Sequence, residues 1–79
     1  MLKRYIAFVC LDYDHPFGWG SVFTENPKEA NSPARSFETI ENARSALQDA
    51  SIEEFEVVDL HTAKIVGEST HGSGFRKVA

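Results

Sequence analysis

The chain is short of cysteine, of basic charge and of long apolar runs, and each shortage closes off a class of protein. Its single cysteine, Cys10, excludes an intrachain disulfide. Set in an apolar run, that thiol reads as a small buried hydrophobe in a reducing compartment, so a cytoplasmic protein is expected. Eight Lys and Arg against twelve Asp and Glu leave a net charge of −4. Such a balance argues against a nonspecific grip on nucleic acid or anionic lipid, both of which need a basic surface. No segment approaches the ~20 apolar residues of a transmembrane helix. Met1-Leu2-Lys3-Arg4 and the apolar run behind it lack a small-residue cleavage site and run into Asp12 and Asp14, so a signal peptide is not expected.

What is present fits one folded domain. At 79 residues with 42% hydrophobic and 25% charged side chains, the composition is that of a globular protein. A chain this short buries only roughly 60–65% of its unfolded surface, so its stability is modest. The charge is segregated. Glu38, Glu41, Asp49, Glu53, Glu54, Glu56 and Asp59 are opposed between them only by Arg44, while Lys3, Arg4, Arg76 and Lys77 make both ends basic.

Tyr5 to Leu11 is apolar throughout and reads as a central strand needing cover on both faces. Asp12 to Gly18 is rich in turn formers and reads as a hairpin tip, leading to a second strand from Trp19 to Thr24. Glu25 to Ser36 holds Pro27 and Pro33, lacks periodicity and reads as a long loop. Thr39 is a candidate N-cap for a helix over Ile40–Asp49, where Ile40, Ala43 and Leu47 recur at helical spacing. Ala43, Ala46 and Ala50 keep one side of that helix thin, which allows close approach to a sheet. Phe55 to Leu60 reads as the third strand and Lys64 to Gly67 as the fourth, joined at His61-Thr62-Ala63, where Ala63 in place of glycine predicts a longer loop or a turn needing no positive φ.

The fold expected is therefore α+β, a ββαββ chain with a four-stranded antiparallel sheet in the order 2-1-3-4 and the helix on one face. Residues 1–67 form the domain and 68–79 a flexible basic tail. One helix covers one face, which leaves Tyr5, Val9, Leu11, Val58 and Leu60 as the candidate surface of a homodimer.

Candidates for chemistry are weak. Asp12, Asp14, His15, His61 and His71 are metal-ligand types without metal-ligand spacing, and Cys10 lacks the electropositive setting of a reactive thiolate. Gly72-Ser73-Gly74 opens no helix and so is not a phosphate-cradling loop. No metal, cofactor or catalytic activity is expected. The aromatic cluster Tyr13, Phe17 and Trp19, with the acids Glu53, Glu54 and Glu56, is the candidate surface for a protein partner.

The run Ser36-Phe37-Glu38-Thr39-Ile40-Glu41-Asn42-Ala43-Arg44, followed by Phe55-Glu56-Val57-Val58-Asp59-Leu60-His61-Thr62-Ala63-Lys64-Ile65-Val66, resembles the second half of many small uncharacterised strand-strand-helix-strand-strand proteins of phages and bacterial mobile elements. The resemblance implies a layout rather than an activity. Some small acidic phage proteins inhibit host or defence machinery by binding it, so a non-catalytic binding protein that occupies a partner's surface is the expected function. The alternative is a dimeric module holding a small anionic ligand such as a nucleotide through Lys3, Arg4, Arg76 or Lys77.

Overall fold

In a computed structural model the described residues are 2–10, 21–26, 28–29, 31–70 and 74–78. The candidate residues Leu11, Asp12, Tyr13, Asp14, His15, Phe17, Trp19 and His71 lie outside the described residues.

The elements are β1 (Tyr5–Cys10), β2 (Ser21–Val22), β3 (Ser36–Phe37), α1 (Ile40–Asp49), β4 (Glu54–Asp59), β5 (Lys64–Thr70) and β6 (Gly74–Lys77). The strands form one sheet in the order β2-β1-β4-β5-β6, with β3 also paired to β1, and all pairings are antiparallel. The fold is α+β with one helix among the described residues, but the expected four-stranded layout is corrected to a six-stranded sheet. Both added strands come from segments without a strand signal. The polar stretch after Thr24 folds back on itself, Thr24 bridging Ala34 and Arg35 N–H donating to Phe23 O at 2.9 Å. This return lays Ser36-Phe37 along the edge of β1 below β2, opposite Ile6 and Tyr5. At the other end, the segment expected to be a tail continues β5 to Thr70 and supplies β6.

The helix forms as its sequence dictates. Thr39 caps it, its Oγ1 accepting from Asn42 N–H at 3.0 Å, and Ala43 and Leu47 are fully buried against the sheet. It ends in a Schellman arrangement. Ser51 N–H donates to Gln48 O and Ile52 N–H to Leu47 O, which requires Ser51 at φ 60°, a position that favours glycine.

The core is Ala7, Val9, Phe23, Phe37, Ala43, Leu47, Ile52, Phe55 and Val57. This corrects the face assignment. Tyr5 stands opposite Asp59, Ala7 opposite Val57 and Val9 opposite Phe55, so Tyr5 and Val9 look toward α1 and not toward an open side. The physical reason is in β4, where buried Phe55, Val57 and Asp59 alternate with half-buried Glu54, Glu56 and Val58. The helix covers the face without the two glutamates. Ala7 and Ala43 lack bulk and let strand and helix approach closely.

The β4–β5 turn also departs from expectation. Asp59 O accepts Ala63 N–H at 2.8 Å, and the loop closes only because Ala63 adopts φ 57°. Asp59 holds this corner with its side chain as well, accepting from Arg4 Nε at 3.0 Å, Arg4 Nη2 at 2.8 Å and His61 N–H at 2.9 Å.

Candidate functional site

Two surfaces follow from this architecture. The first is the face of the sheet away from α1. Antiparallel partners share a face, so Val22 and Phe8 stand beside Glu56, Glu68 and Arg76 in one row. In the next row Ser36, Ile6, Val58 and Ile65 stand side by side. Ile6, Phe8, Val22 and Val58 are half-buried and Ile65 is 40% exposed, which makes an apolar patch centred on β1 and β4. Beside it lie the carboxylates of Glu54, Glu56 and Glu68. Glu56 and Glu68 are direct cross-strand neighbours, and Glu68 is held by Arg76, whose Nε donates to it at 2.6 Å. No helix covers this face among the described residues.

The proposed dimer surface is thus redistributed. Val58 belongs to the open face; Val9 is fully buried in the core, and Tyr5 packs against that core. Leu60 is 39% exposed in the β4–β5 turn. Ile6, Phe8, Val22 and Ile65 stand with Val58 on the open face. The missed signal was the Glu54-Phe55-Glu56-Val57 alternation, which marks the Glu side of β4 as the outer one. Of the partner-binding candidates, Glu54 and Glu56 lie on this face and Glu53 does not.

The basic candidates for an anionic ligand are not brought together. Arg4 is bound to Asp59, Arg76 to Glu68, and Lys77 Nζ lies 3.1 Å from Glu41. Lys3 belongs to the β1 end of the sheet, where its backbone N–H donates to Ser36 Oγ. These pairs hold the Asp59 carboxyl below its ordinary range, chiefly through the hydrogen bonds from Arg4, and lower Glu41 as well, through a backbone hydrogen bond and Lys77.

The second surface is a cleft of about 670 Å³ between the C-terminal half of α1 and the β5–β6 hairpin. Its floor is Ile52 and Phe55, and its walls include Arg44, Gln48, Ser51 and Phe75. Phe75 stacks on Phe55 with ring centroids 5.9 Å apart, and the Arg44 guanidinium lies 4.8 Å from the Phe75 centroid. Sequence reasoning missed this site because Phe75 and Gly74 were read as tail. Glu53 lines the cleft, its backbone carbonyl accepting from Ser69 Oγ at 2.9 Å.

Among the described residues, no group of three His, Cys, Asp or Glu side chains is placed to hold a metal ion, and no helix is long and apolar enough to cross a membrane. No protein-family profile, curated protein or solved structure matches the chain in any of the three comparisons.

Proposed function

We propose that the chain is a small non-catalytic binding protein that occupies a partner protein through the open face of its sheet. The observation that carries this reading is the juxtaposition on one face of an apolar patch, Ile6, Phe8, Val22, Val58 and Ile65, with a strip of carboxylates at Glu54, Glu56 and Glu68. Apolar area that stays in contact with water costs about 25 cal/mol per Å² relative to burial, so a partner that covers it gains by association. Glu54 and Glu56 select the partner's chemistry, apolar anchors flanked by Lys or Arg, since Glu68 is already paired with Arg76. An inhibitor of host or defence machinery that masks a basic surface is one setting consistent with the resemblance noted above.

A second copy of the chain is the competing occupant. A two-fold contact over this face would bring acidic strips of the same sign close together in a chain of net charge −4, which favours a basic partner over a homodimer.

The test is affinity capture with the wild-type chain, Ile65→Lys and Glu56→Lys, each checked for an unchanged circular dichroism spectrum. A partner bound by this face is recovered by the wild type, is lost with both variants, and is released as salt rises. Equal recovery by all three chains would remove the open face from the interaction. Light scattering on the purified protein decides the homodimer directly: one chain per particle at micromolar concentration excludes it.

A further inference from the structure

We infer that the cleft between α1 and the β5–β6 hairpin is a binding site for a small planar organic carboxylate, a ligand class separate from the partner of the open face. Three observations converge. The cleft volume of about 670 Å³ falls within the range of roughly 300–1,000 Å³ typical of small-molecule sites, with Ile52, Phe55 and Phe75 as its apolar surface and polar side chains making up most of the rest of the lining.

Arg44 is the second. Among the described residues it closes no salt bridge like those of Arg4 and Arg76, although its charge also stabilises the Glu41 carboxylate on the same helix, and its guanidinium is set over the face of Phe75. That ring is fixed in turn by Phe55 beneath it. A guanidinium held over a ring keeps its N–H groups directed outward along its edge, the arrangement that grips a carboxylate through two parallel hydrogen bonds. Gln48, Ser51 and Thr70 add an amide and two hydroxyls to the same cleft.

The third observation sets the charge of the ligand. Arg44 is the one cation among the lining residues, which suits a single carboxylate, while Glu53 and the net charge of −4 weigh against a dianion. A flat apolar body with a single carboxylate meets all of these demands. Its rings lie against Ile52, Phe55 and the edge of Phe75, and its carboxylate meets Arg44. Phosphates and nucleotides are disfavoured by the same argument.

The experiment is a titration of the full chain with 2-naphthoate, followed by amide chemical shifts, beside 2-naphthamide and inorganic phosphate as probes of shape alone and charge alone. The expected result is saturable shifts centred on the cleft, at Arg44, Gln48, Ser51, Ile52, Phe55 and Phe75. Binding of 2-naphthamide and of phosphate should be weaker by about tenfold or more, as should binding of 2-naphthoate to Arg44→Gln. Arg44→Lys, which retains charge without the planar fork, should fall between. Ile65→Lys, on the opposite face, should bind 2-naphthoate as the wild type does, which separates this inference from the role of the open face. Equal binding of the amide would show a merely greasy cleft, and equal binding of phosphate an unselective anion site. Undiminished affinity in Arg44→Gln, or no shift at millimolar ligand, would equally overturn the inference.

Discussion

Gly67→Ala tests whether Phe75 is seated by the absence of a side chain beneath it. A Cβ at residue 67 would lie 2.8 Å from Phe75 Cζ and 3.0 Å from Cε1, closer than carbon atoms pack, while Ile40 Cγ2 at 3.7 Å presents no obstacle. The ring has no room to shift on the side where Phe55 stacks, so the clash is relieved by displacing it outward. It must leave its seat. Phe75 is half-buried, so losing that seat removes about 1 kcal/mol of burial, roughly half that of a fully buried aromatic, and a further ~0.5–1.5 kcal/mol of ring stacking. Alanine is easier than glycine to hold in a strand by about 0.5–1 kcal/mol, which offsets part of the loss. The net destabilisation expected is about 1 kcal/mol, or a fall in Tm of about 4–8 °C for a domain of this size. Urea unfolding of the two single variants and the double variant Gly67→Ala, Phe75→Ala measures the coupling. In the Phe75→Ala background Gly67→Ala should be neutral or stabilising. A cost for Gly67→Ala that is the same with and without the ring would refute the reasoning, since the clash would then lie elsewhere.

Two further perturbations follow from the backbone and from the Asp59 corner. Ser51 and Ala63 are non-glycine residues with φ of 60° and 57°, so Ser51→Gly and Ala63→Gly should each raise stability by about 1 kcal/mol in urea unfolding; a loss at either position would mean that its side chain makes a contact outweighing the strain. Asp59 has a folded-state pKa below its unfolded value because Arg4 and the His61 N–H bind its charged form, so its contribution is complete above the unfolded carboxylate pKa and is lost as pH falls through the folded one. Melting temperature measured from pH 6 downward should therefore fall less steeply in Asp59→Asn than in the wild type, and parallel curves would show that the ion pair does not drive acid unfolding.

The parts of the fold legible in the sequence are those in which local and tertiary signals agree. Thr39 as a cap, the Ile40, Ala43, Leu47 spacing and the alternation in β4 each name their element without help from the rest of the chain. β3 was hidden because two residues hold no periodicity, and Phe37 became strand only because the return at Ala34 and Arg35 lays it on the edge of β1. β6 was hidden because Gly74-Phe75-Arg76-Lys77 has the composition of a tail, and its pairing depends on a glycine on β5 that admits the ring of Phe75. The faces of β1 could not be told apart from β1 itself, since Tyr5, Ala7 and Val9 are no more apolar than Ile6 and Phe8. Its neighbour β4 decides, through Glu54 and Glu56. The cleft was illegible for a related reason: Arg44 reads as an isolated base in an acidic stretch until β6 brings a ring beneath it.

The arginines help to explain how the single helix among the described residues suffices for the inner face of the six-stranded sheet. Three of them are spread over aromatic rings: Arg4 at 5.3 Å from the Tyr5 centroid, Arg35 at 5.7 and 5.5 Å from Phe23 and Phe37, and Arg44 at 4.8 Å from Phe75. Each ring is a core residue or packs against the core, and Arg44, itself on α1, extends the cover of the helix to Phe75. A guanidinium over such a ring keeps its charge in water while its stem and plane shield the apolar surface beneath. The inner face therefore needs no second copy of the chain to roof it. The opposite face has no comparable device among the described residues, for Arg76 there is committed to Glu68 and the acids beside the patch shield nothing apolar. That asymmetry, cover completed from within on one side and absent among the described residues on the other, is the observation on which the proposed role of the outer face rests.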